Sequence, residues 1–415
     1  MELNMPETIA IVGANLAGGR AAAALRQNGF EGRISLIGEE RWLPYERPPL
    51  SKEVLWANGK LPESFFLHDE AWYNENRIDL HLGLRAERLD LAGGAVTLQN
   101  GDSVRADRVL LATGGAARRL PLAGADAPNV HHLRTKDDAD HLARDLVAGA
   151  RIVVIGMGVI GAEVAASARK AGCQVIAIEP APVAMIRTIG ERFGGWIGRQ
   201  HSARGVETRF GIGIDGLVLG SDGQVAAVNL SDGTQVACDA VVVGIGIVPA
   251  VNLARDAGLA IGNGIIVDQQ CRTSNPHVFA AGDVADQPDF FGGRTRLETY
   301  QNAADQGAAA AAAMLGQTPD FCKPCWFWSD QYDINLQVTG RINDRLDVIV
   351  RGDMDSGQFT ALFLDQDVVE GVLTINRPAD MGIGKRLVER RIAVDRAIAA
   401  DDSVPLRTLL SPPAP

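Results

Sequence analysis

Cysteine is scarce in this chain of 415 residues, and none precedes Cys173. The five cysteines are Cys173, Cys238, Cys271, Cys322 and Cys325, most of them inside apolar runs. A small, odd number of cysteines is typical of proteins kept in a reducing compartment.

Long apolar runs and net positive charge are also missing. The longest run made up only of apolar residues, 308–315, is far too short to span a bilayer. The first predicted strand starts near Thr8, which leaves no room for a signal peptide. A net charge of −11 disfavours a nucleic-acid role, and docking to an acidic partner would need a local basic patch. These features predict a cytoplasmic protein with room for two or three domains.

The strongest motif starts at Arg151. An apolar run at 152–155 predicts a buried parallel strand, and Gly156-x-Gly158-x-x-Gly161 follows directly. An Ala-rich helix and a second strand ending in Glu179 complete the dinucleotide fingerprint. The three glycines allow a tight turn, close approach of a pyrophosphate and close helix–strand packing, in that order. A glycine turn that binds nothing is the less favoured alternative.

Residues 8–40 carry an earlier and weaker copy of this motif. Its turn contains Gly13, Ala17 and Gly18, but Asn15 replaces the middle glycine. Asn tolerates unusual backbone angles better than most residues, but its side chain must be turned away from the phosphate. Glu39 is placed to accept hydrogen bonds from a ribose; the alternative is a solvated carboxylate. Two such folds suggest two nucleotides, with something passed between them.

The rest of the chain divides into three parts with different sequence patterns. Residues 78–111 predict short strands and run into Ala-Thr-Gly-Gly at 112–115, and residues 206–238 carry hairpin signals. The sequence pattern of residues 267–283 again resembles that of the first domain, so we expect the second nucleotide-binding domain to be inserted within the first. From Trp326 onward, antiparallel strands are predicted at 336–340, 346–352, 359–364 and 368–375, followed by a helix at about 378–391.

Several longer strings, taken in order, resemble a known family. They are Pro-Tyr-Glu-Arg-Pro-Pro-Leu-Ser-Lys (44–52), Leu-Arg-Thr (133–135), Gly-Ile-Gly-Ile-Val-Pro (244–249), Ala-Gly-Asp (281–283), Arg-Leu-Glu-Thr-Tyr-Gln-Asn-Ala (296–303) and Trp-Phe-Trp-Ser-Asp-Gln-Tyr-Asp (326–333). With the two glycine turns, they resemble the FAD-dependent, NADH-oxidising ferredoxin reductases that feed bacterial oxygenase systems. The resemblance spans nearly the whole chain.

The resemblance implies an α/β fold with two Rossmann-like, glutathione-reductase-type nucleotide-binding domains. The second is inserted in the first, and a C-terminal α+β domain follows. The implied division is FAD-binding at 1–116 and 247–323, NAD-binding at 117–246, and the C-terminal domain at 324–415. The last domain lacks a glycine fingerprint, so we expect it to cover another part of the protein or to serve in docking.

The resemblance also implies FAD contacts, position by position. Ala17 and Gly18 would meet the pyrophosphate, Glu39 the ribose, and Ala86 the adenine through its backbone. Lys52 and Tyr300 would lie by the flavin, Tyr300 where the family often has an aliphatic residue. Asp283 would bind the ribityl or phosphate side, Arg134 would contact FAD, and Trp328 would line the flavin pocket facing the ferredoxin. Further implied cofactor contacts are Gly13, Arg47, Thr113, Gly114, Gly246 and Gly282.

For NADH, the implied phosphate contacts are Gly156, Gly158, Ile160 and Gly161. Glu163 would lie near the nicotinamide and Glu179 on the ribose. A carboxylate at 179 accepts two hydroxyl hydrogen bonds and repels a 2′-phosphate, which favours NADH over NADPH.

The implied reaction is hydride transfer from NADH to FAD, then transfer of single electrons to a small iron–sulfur ferredoxin, of the 2Fe–2S type. Lys52, Glu163 and Trp328 are the residues expected to act in it, the first two by tuning the flavin–nicotinamide contact electrostatically. No general base is required, which fits a chain with seven scattered histidines.

Two alternatives stay open. A disulfide reductase could use Cys322-Lys-Pro-Cys325, although such enzymes need an early redox thiol and this chain has none before Cys173. Two cysteines without partners cannot close a zinc site, so no metal is expected. An NADH-sensing flavoprotein, resembling apoptosis-inducing-factor-like proteins, is the other alternative.

A basic helix could attract an acidic ferredoxin. Its charged residues are Lys385, Arg386, Arg390 and Arg391, with Arg294 and Arg296 as possible neighbours. A solvated helix face is the alternative explanation of the same charges.

Overall fold

A computed structural model describes residues 6–57 and 60–411, and these residues form two compact units. The first unit comprises 6–47, 63–116 and 248–323, and the second comprises the remaining described residues. The chain passes between them at the short strands Gly115–Ala117 and Ile247–Pro249. Residues 48–57 and 60–62 group with the second unit, and the division by cofactor stays a prediction. Residues 412–415 of the predicted last domain lie outside the described residues.

The first unit is built on a five-stranded parallel sheet. All its strands except the edge strand Ile78–Leu82 are short, largely apolar runs buried on both faces, as expected for parallel sheets between helices. In spatial order they are Val278–Ala280, Arg108–Leu111, Thr8–Val12, Arg33–Gly38 and Ile78–Leu82. The other elements are strands Ala86–Asp90, Ala95–Leu98, Ser103–Arg105, Ile265–Ile266, Ala285–Pro288 and Arg294–Thr295, and helices Leu16–Gln27, Glu70–Glu75, Asn252–Asp256 and Tyr300–Met314.

Two small-residue helices of this unit, Leu16–Gln27 and Tyr300–Met314, pack closely on each other. A Cβ atom added at Gly307 would lie 2.3 Å from the Ala17 carbonyl oxygen, so only glycine permits this approach. The apolar run at 308–315 therefore belongs largely to a packed helix. No helix of the described residues is both long and apolar enough to cross a membrane.

The second unit contains its own parallel sheet of the same kind. In spatial order its strands are Val206–Phe210, Gln174–Glu179, Arg151–Ile155, Ala240–Val243 and Val130–His132. An antiparallel sheet follows with strands Ile214–Leu219, Val225–Leu230 and Gln235–Ala237. The helices are Glu53–Trp56, Lys136–Asp145, Val159–Lys170 and Ile186–Ala203, with a 3-10 turn at Pro48–Ser51.

The end of the chain forms a five-stranded antiparallel sheet, which we call the terminal sheet, in the same unit. In spatial order its strands are Trp326–Gln331, Ile334–Gly340, Val368–Ile375, Gln358–Asp365 and Asp347–Asp353. Helices Pro378–Glu389 and Arg396–Ala400 and a 3-10 turn at Leu406–Leu410 complete it. The four strands and the helix predicted from the sequence are confirmed, with shifts of at most two residues at their ends.

Candidate functional site

The first glycine turn, residues 13–18, connects strand Thr8–Val12 to helix Leu16–Gln27. Gly13 has φ +119°, and a Cβ atom there would lie 2.1 Å from the Ala112 carbonyl oxygen. A Cβ atom at Gly18 would lie 1.9 Å from the Gly13 carbonyl oxygen. Both glycines are therefore required by the close approach of strand, turn and helix.

Asn15 caps the helix of this turn. Its Oδ1 accepts from the Gly18 backbone N–H at 3.4 Å, and its Nδ2 donates to the Ala112 carbonyl oxygen at 2.6 Å. Its backbone is ordinary extended chain, with φ −119°, so the tolerance of asparagine for unusual angles is not used here. Asn is present here because it satisfies an otherwise unpaired N–H group at the start of the helix.

Other predicted FAD contacts also lie in the first unit. Glu39 follows strand Arg33–Gly38 and is exposed, as a ribose ligand must be. Ala86 begins an antiparallel strand and is half-buried. The Thr113 hydroxyl donates to the Ala250 carbonyl oxygen at 2.8 Å, and the Gly114 carbonyl accepts from the Ala250 N–H at 2.9 Å, so these two residues tie down the returning chain.

Gly282 and Asp283 lie next to the same turn. A Cβ atom at Gly282 would contact the Ala17 side chain at 3.1 Å. The Gly282 N–H donates to Oε1 of the fully buried Gln306 at 2.8 Å. Ala17 is thus packed among small residues, and any contact that it makes with a phosphate is through its backbone.

Arg47 is held by a compact polar cluster. Its Nη2 lies 2.8 Å from Glu40 Oε1 and its Nη1 donates to the Tyr45 hydroxyl at 3.1 Å, while that hydroxyl donates to Glu40 Oε2 at 2.5 Å. Burial opposes the charge, but Tyr45, Glu40 and Asp283 outweigh it and raise the Arg47 pKa. The arginine therefore supplies a fixed positive charge on the proline-rich loop.

Tyr300 begins helix Tyr300–Met314 and is tied by its hydroxyl. It donates to Glu46 Oε1 at 2.6 Å and accepts from Arg20 Nη2 at 3.4 Å. Burial and the bond to Glu46 raise the Tyr300 pKa. The tyrosine that departs from the family pattern thus has hydrogen-bonding partners of its own.

The second glycine turn, residues 156–161, repeats the first with one difference. A Cβ atom at Gly156 would lie 2.6 Å from the Gly244 carbonyl oxygen, and one at Gly161 would lie 1.9 Å from the Gly156 carbonyl oxygen. Gly158 precedes helix Val159–Lys170 and supplies no side-chain cap, and a Cβ atom there would meet open space. The fold does not need glycine at 158, so its small size is available to a ligand. Ile160, on the first turn of the helix, is 44 % exposed.

Glu179 ends the strand that follows. Its Oε2 accepts from the Met157 N–H at 2.8 Å and its Oε1 from the Ala181 N–H at 2.9 Å. The carboxylate is thereby fixed beside the turn while staying half-buried. Of the remaining predicted contacts in this unit, Gly246 has φ +95° and accepts from the Arg118 N–H. The Arg134 N–H donates to the Asp138 carboxylate, which forms a capping box with Thr135 at the start of helix Lys136–Asp145.

Lys52 and Glu163 form a buried ion pair, with 3.1 Å between Nζ and Oε2 and side chains 8 % and 3 % exposed. The Ser51 hydroxyl donates to the same carboxylate oxygen, and the Ser329 hydroxyl donates to the other at 2.7 Å. The Ser167 hydroxyl donates to the Ser51 carbonyl oxygen at 2.5 Å. Helix Val159–Lys170 thus holds the segment that carries Ser51 and Lys52.

Trp326 and Trp328 stack with 5.4 Å between ring centroids and 25° between planes. Lys385 Nζ lies 3.4 Å from the Trp326 ring centroid, a cation–π contact. Both tryptophans are half-buried. The predicted basic helix therefore contacts, through Lys385, the tryptophan that stacks on Trp328, the residue predicted to act in electron transfer.

The other basic residues differ in their freedom. Arg386 and Arg390 are exposed, whereas Arg391 pairs with the buried Glu370 at 3.2 Å. In the first unit, Arg294 pairs with Asp286 at 3.2 Å and Arg296 with Glu298 at 2.7 Å. Arg294 and Arg296 thus have internal partners.

The thiol of Cys322 lies in the first unit, with its sulfur 4.0 Å from the Pro288 carbonyl oxygen. Burial, followed by the charges of Asp320 and Asp289, raises its pKa. A raised pKa disfavours the thiolate that redox exchange requires. The Cys325 carbonyl accepts from Gly340 in the second unit.

Sequence reasoning missed the hydrogen-bonding partners of Glu163. Ser51 and Ser329 are buried hydroxyls, and Gln331 and His201 extend the contacts of Ser329. The strand alternation in Trp-Phe-Trp-Ser-Asp-Gln could have shown that Ser329 and Gln331 share a face opposite to Trp328. Nothing in the sequence connects that face to Glu163.

Two known protein families match this chain over most of its length. Residues 7–307 match the pyridine nucleotide-disulphide oxidoreductase family, and residues 326–410 match a reductase C-terminal family. The chain is 41 % identical over 402 residues to the ferredoxin–NAD(+) reductase component of the p-cumate 2,3-dioxygenase system of Pseudomonas putida, covering 96 % of this chain and 97 % of that protein.

A second relative is the ferredoxin–NAD(+) reductase component of the biphenyl dioxygenase system of Paraburkholderia xenovorans (strain LB400). It is 40 % identical over 407 residues, which cover 98 % of this chain and 99 % of that protein. The crystal structure of a covalent putidaredoxin reductase–putidaredoxin complex matches with a TM-score of 0.93 and 36 % identity, covering 98 % and 99 % of the two chains.

The chain belongs to the pyridine nucleotide-disulphide oxidoreductase family, among the ferredoxin–NAD(+) reductases of oxygenase systems. The predicted fold class is confirmed, as is the prediction of an oxidoreductase that uses FAD and a nicotinamide dinucleotide.

Proposed function

We propose that this chain oxidises NADH and passes the electrons, through FAD, to a small 2Fe–2S ferredoxin that supplies an oxygenase. Bound FAD would accept a pair of electrons as hydride and release them singly. The proposal includes a cytoplasmic setting, where NADH is available.

The observation that carries the proposal is the unequal need for glycine in the second turn. Gly156 and Gly161 are required by the packing of the fold, but Gly158 faces open space next to an uncapped helix start. Uncapped N–H groups and the positive end of a helix favour a pyrophosphate at this point. Glu179, fixed beside the turn, suits the unphosphorylated ribose of NADH.

In the first unit the residues present also suit a dinucleotide. The exposed Glu39 would bind the ribose, the turn at Gly13 and Gly18 would cradle the pyrophosphate, and Asp283 would contact the ribityl or phosphate side. In the second unit, Lys52 and Glu163 would tune the flavin–nicotinamide contact electrostatically, and Trp328 would face the ferredoxin.

The test is an anaerobic titration of the purified protein with NADH, followed by absorbance, with a 2Fe–2S ferredoxin such as putidaredoxin added afterwards. Flavin bleaching by one equivalent of NADH and reoxidation by the ferredoxin are expected. No bleaching would overturn the proposal. Uptake of two equivalents, with a thiolate–flavin absorption band, would place the protein among disulfide reductases that use Cys322 and Cys325.

A further inference from the structure

A continuous row of buried side chains leads away from Glu163 into the terminal sheet. Ser329 Oγ lies 2.7 Å from Glu163 Oε1, and Gln331 Nε2 lies 3.0 Å from Ser329 Oγ. His201 Nε2 lies 2.9 Å from Gln331 Oε1, and the Tyr332 hydroxyl lies 3.0 Å from His201 Nδ1. Glu163, Ser329, Gln331 and His201 are each at most 2 % exposed. We call this row the Glu163 chain.

The direction of its hydrogen bonds is fixed at the Glu163 end. The Glu163 carboxylate, which is paired with Lys52, can only accept hydrogen bonds. Ser329 must therefore donate its single O–H to Glu163. Ser329 Oγ then accepts from Gln331, which requires the amide nitrogen of Gln331 to face it. The Met185 sulfur, an acceptor, lies 3.6 Å from the same nitrogen and supports this amide orientation.

The same logic fixes the far end. Gln331 Oε1 can only accept, so His201 carries its proton on Nε2, and Nδ1 accepts from the Tyr332 hydroxyl. Burial lowers the His201 pKa to about 4, and Arg204 adds to the effect, so the ring is neutral near neutral pH. Burial raises the Tyr332 pKa to about 12, so its hydroxyl keeps the proton that it donates. Every donor in the row therefore points toward Glu163.

One strand supplies two different faces to this region of the second unit. Ser329 and Gln331 alternate with Trp326 and Trp328 along strand Trp326–Gln331, so they lie on opposite faces. The tryptophan face carries the stacked rings, and the other face carries the donors to Glu163.

We propose that the Glu163 chain positions the Glu163 carboxylate, with Ser329 as the positioning residue that acts directly on it. Ser329 occupies Oε1, which leaves Oε2 for Lys52 and Ser51 and gives the carboxylate one orientation. The terminal sheet thereby sets the geometry of the pair that works on the nicotinamide. This inference rests on the proposed function, because it assumes that Glu163 lies near the nicotinamide.

The donor direction is tested without any cofactor, by ¹⁵N NMR of the histidine side chains near neutral pH. Comparison with the His201→Gln variant assigns the His201 signals among those of the seven histidines. We expect a neutral ring with the proton on Nε2. A proton on Nδ1 would reverse the row and overturn the inference.

The positioning role is tested by stopped-flow reduction of the FAD-loaded enzyme with NADH. Ser329→Ala should lower the limiting rate constant about tenfold and leave the Kd for NADH within about twofold. In a Glu163→Gln background, Ser329→Ala should have no further effect, since its action passes through Glu163. Equal slowing in both backgrounds, or no slowing in the wild-type background, would overturn the inference.

Two further variants keep this test decisive. Thr374→Val removes another fully buried hydroxyl of the terminal sheet, one without a hydrogen-bond partner among the described residues, and should leave the rate unchanged. Gln331→Met is the substitute if Ser329→Ala does not fold, and it should show the same dependence on Glu163. Failure of the proposed function looks different, because the wild-type flavin would then not be reduced by NADH at all.

Discussion

The Glu179 carboxylate accepts a 2.8 Å hydrogen bond from the Met157 N–H, in the middle of the second glycine turn. This bond fixes a negative charge where a nucleotide ribose would bind, at the carboxyl end of strand Gln174–Glu179. The backbone of the turn and the residue that would select the cofactor are thus held together by one contact.

Glu179→Gln should weaken the preference for NADH. Glutamine keeps an oxygen for the Met157 N–H but removes the charge that repels a 2′-phosphate. We expect the ratio of kcat/KM for NADH to kcat/KM for NADPH to fall about tenfold, which corresponds to ~1.4 kcal/mol. Steady-state kinetics with both cofactors measure it. Glu207→Gln, on the neighbouring strand, is the control and should leave the ratio unchanged.

Lys52→Ala and Glu163→Ala should each slow flavin reduction by NADH. Each variant also leaves an uncompensated charge in a buried site, at a cost of about 3 kcal/mol in unfolding free energy. The double variant Lys52→Met with Glu163→Gln removes both charges and should unfold at higher denaturant than either single variant. Stopped-flow rates and urea unfolding measure the two effects; unchanged reduction rates would reject the role of the pair.

Cys322→Ser should leave the stoichiometry of the NADH titration at one equivalent. The raised pKa keeps Cys322 as a thiol at neutral pH, so its alkylation by iodoacetamide should be slow and should accelerate only as pH rises well above neutrality. Mass spectrometry after timed alkylation measures this. Rapid alkylation at neutral pH, or a lost second equivalent in the variant, would favour the disulfide-reductase alternative.

Folding stability should fall with acid because of His201. Its pKa is about 4 in the folded protein against an ordinary value of 6.5, so the unfolded chain takes up the proton first as pH falls. The contribution of the neutral His201 ring to the free energy of unfolding is complete above pH 6.5. As the pH falls from 6.5 to about 4, that free energy decreases by about 3 kcal/mol. When urea unfolding is measured across this pH range, the free energy of unfolding should change less steeply with pH in His201→Gln than in the wild type. The exposed His277→Gln should keep the wild-type slope.

Charge reversal on the basic helix tests the docking of the ferredoxin. Arg386→Glu with Arg390→Glu should reduce the association rate of an acidic 2Fe–2S ferredoxin about tenfold at low salt, with a smaller effect at high salt. Arg88→Glu with Arg105→Glu reverses two exposed charges of the first unit and is the matched control. Equal effects from both pairs would mean that only net charge matters.

The sequence predicted best what depends on neighbours along the chain. The glycine turns, the parallel strands and the strands of the terminal sheet follow from periodicity and from glycine chemistry over short windows. Asn15 shows the limit of such rules, because its role is to cap a helix and bind Ala112, and its backbone is ordinary. The partners of Glu163 come from distant segments, so no local pattern could identify Ser329 as one of them.

The alternation along strand Trp326–Gln331 also bears on how such reductases can be recombined. Exchanging the C-terminal domains of two relatives would change Trp328, which is predicted to face the ferredoxin, together with the serine that donates to Glu163. A hybrid that acquires a new ferredoxin-docking surface but loses the serine would have a less firmly positioned Glu163 carboxylate, although Glu163 lies outside the exchanged domain. Altered partner choice and altered handling of NADH are therefore expected to travel together unless Ser329 and Gln331 are retained.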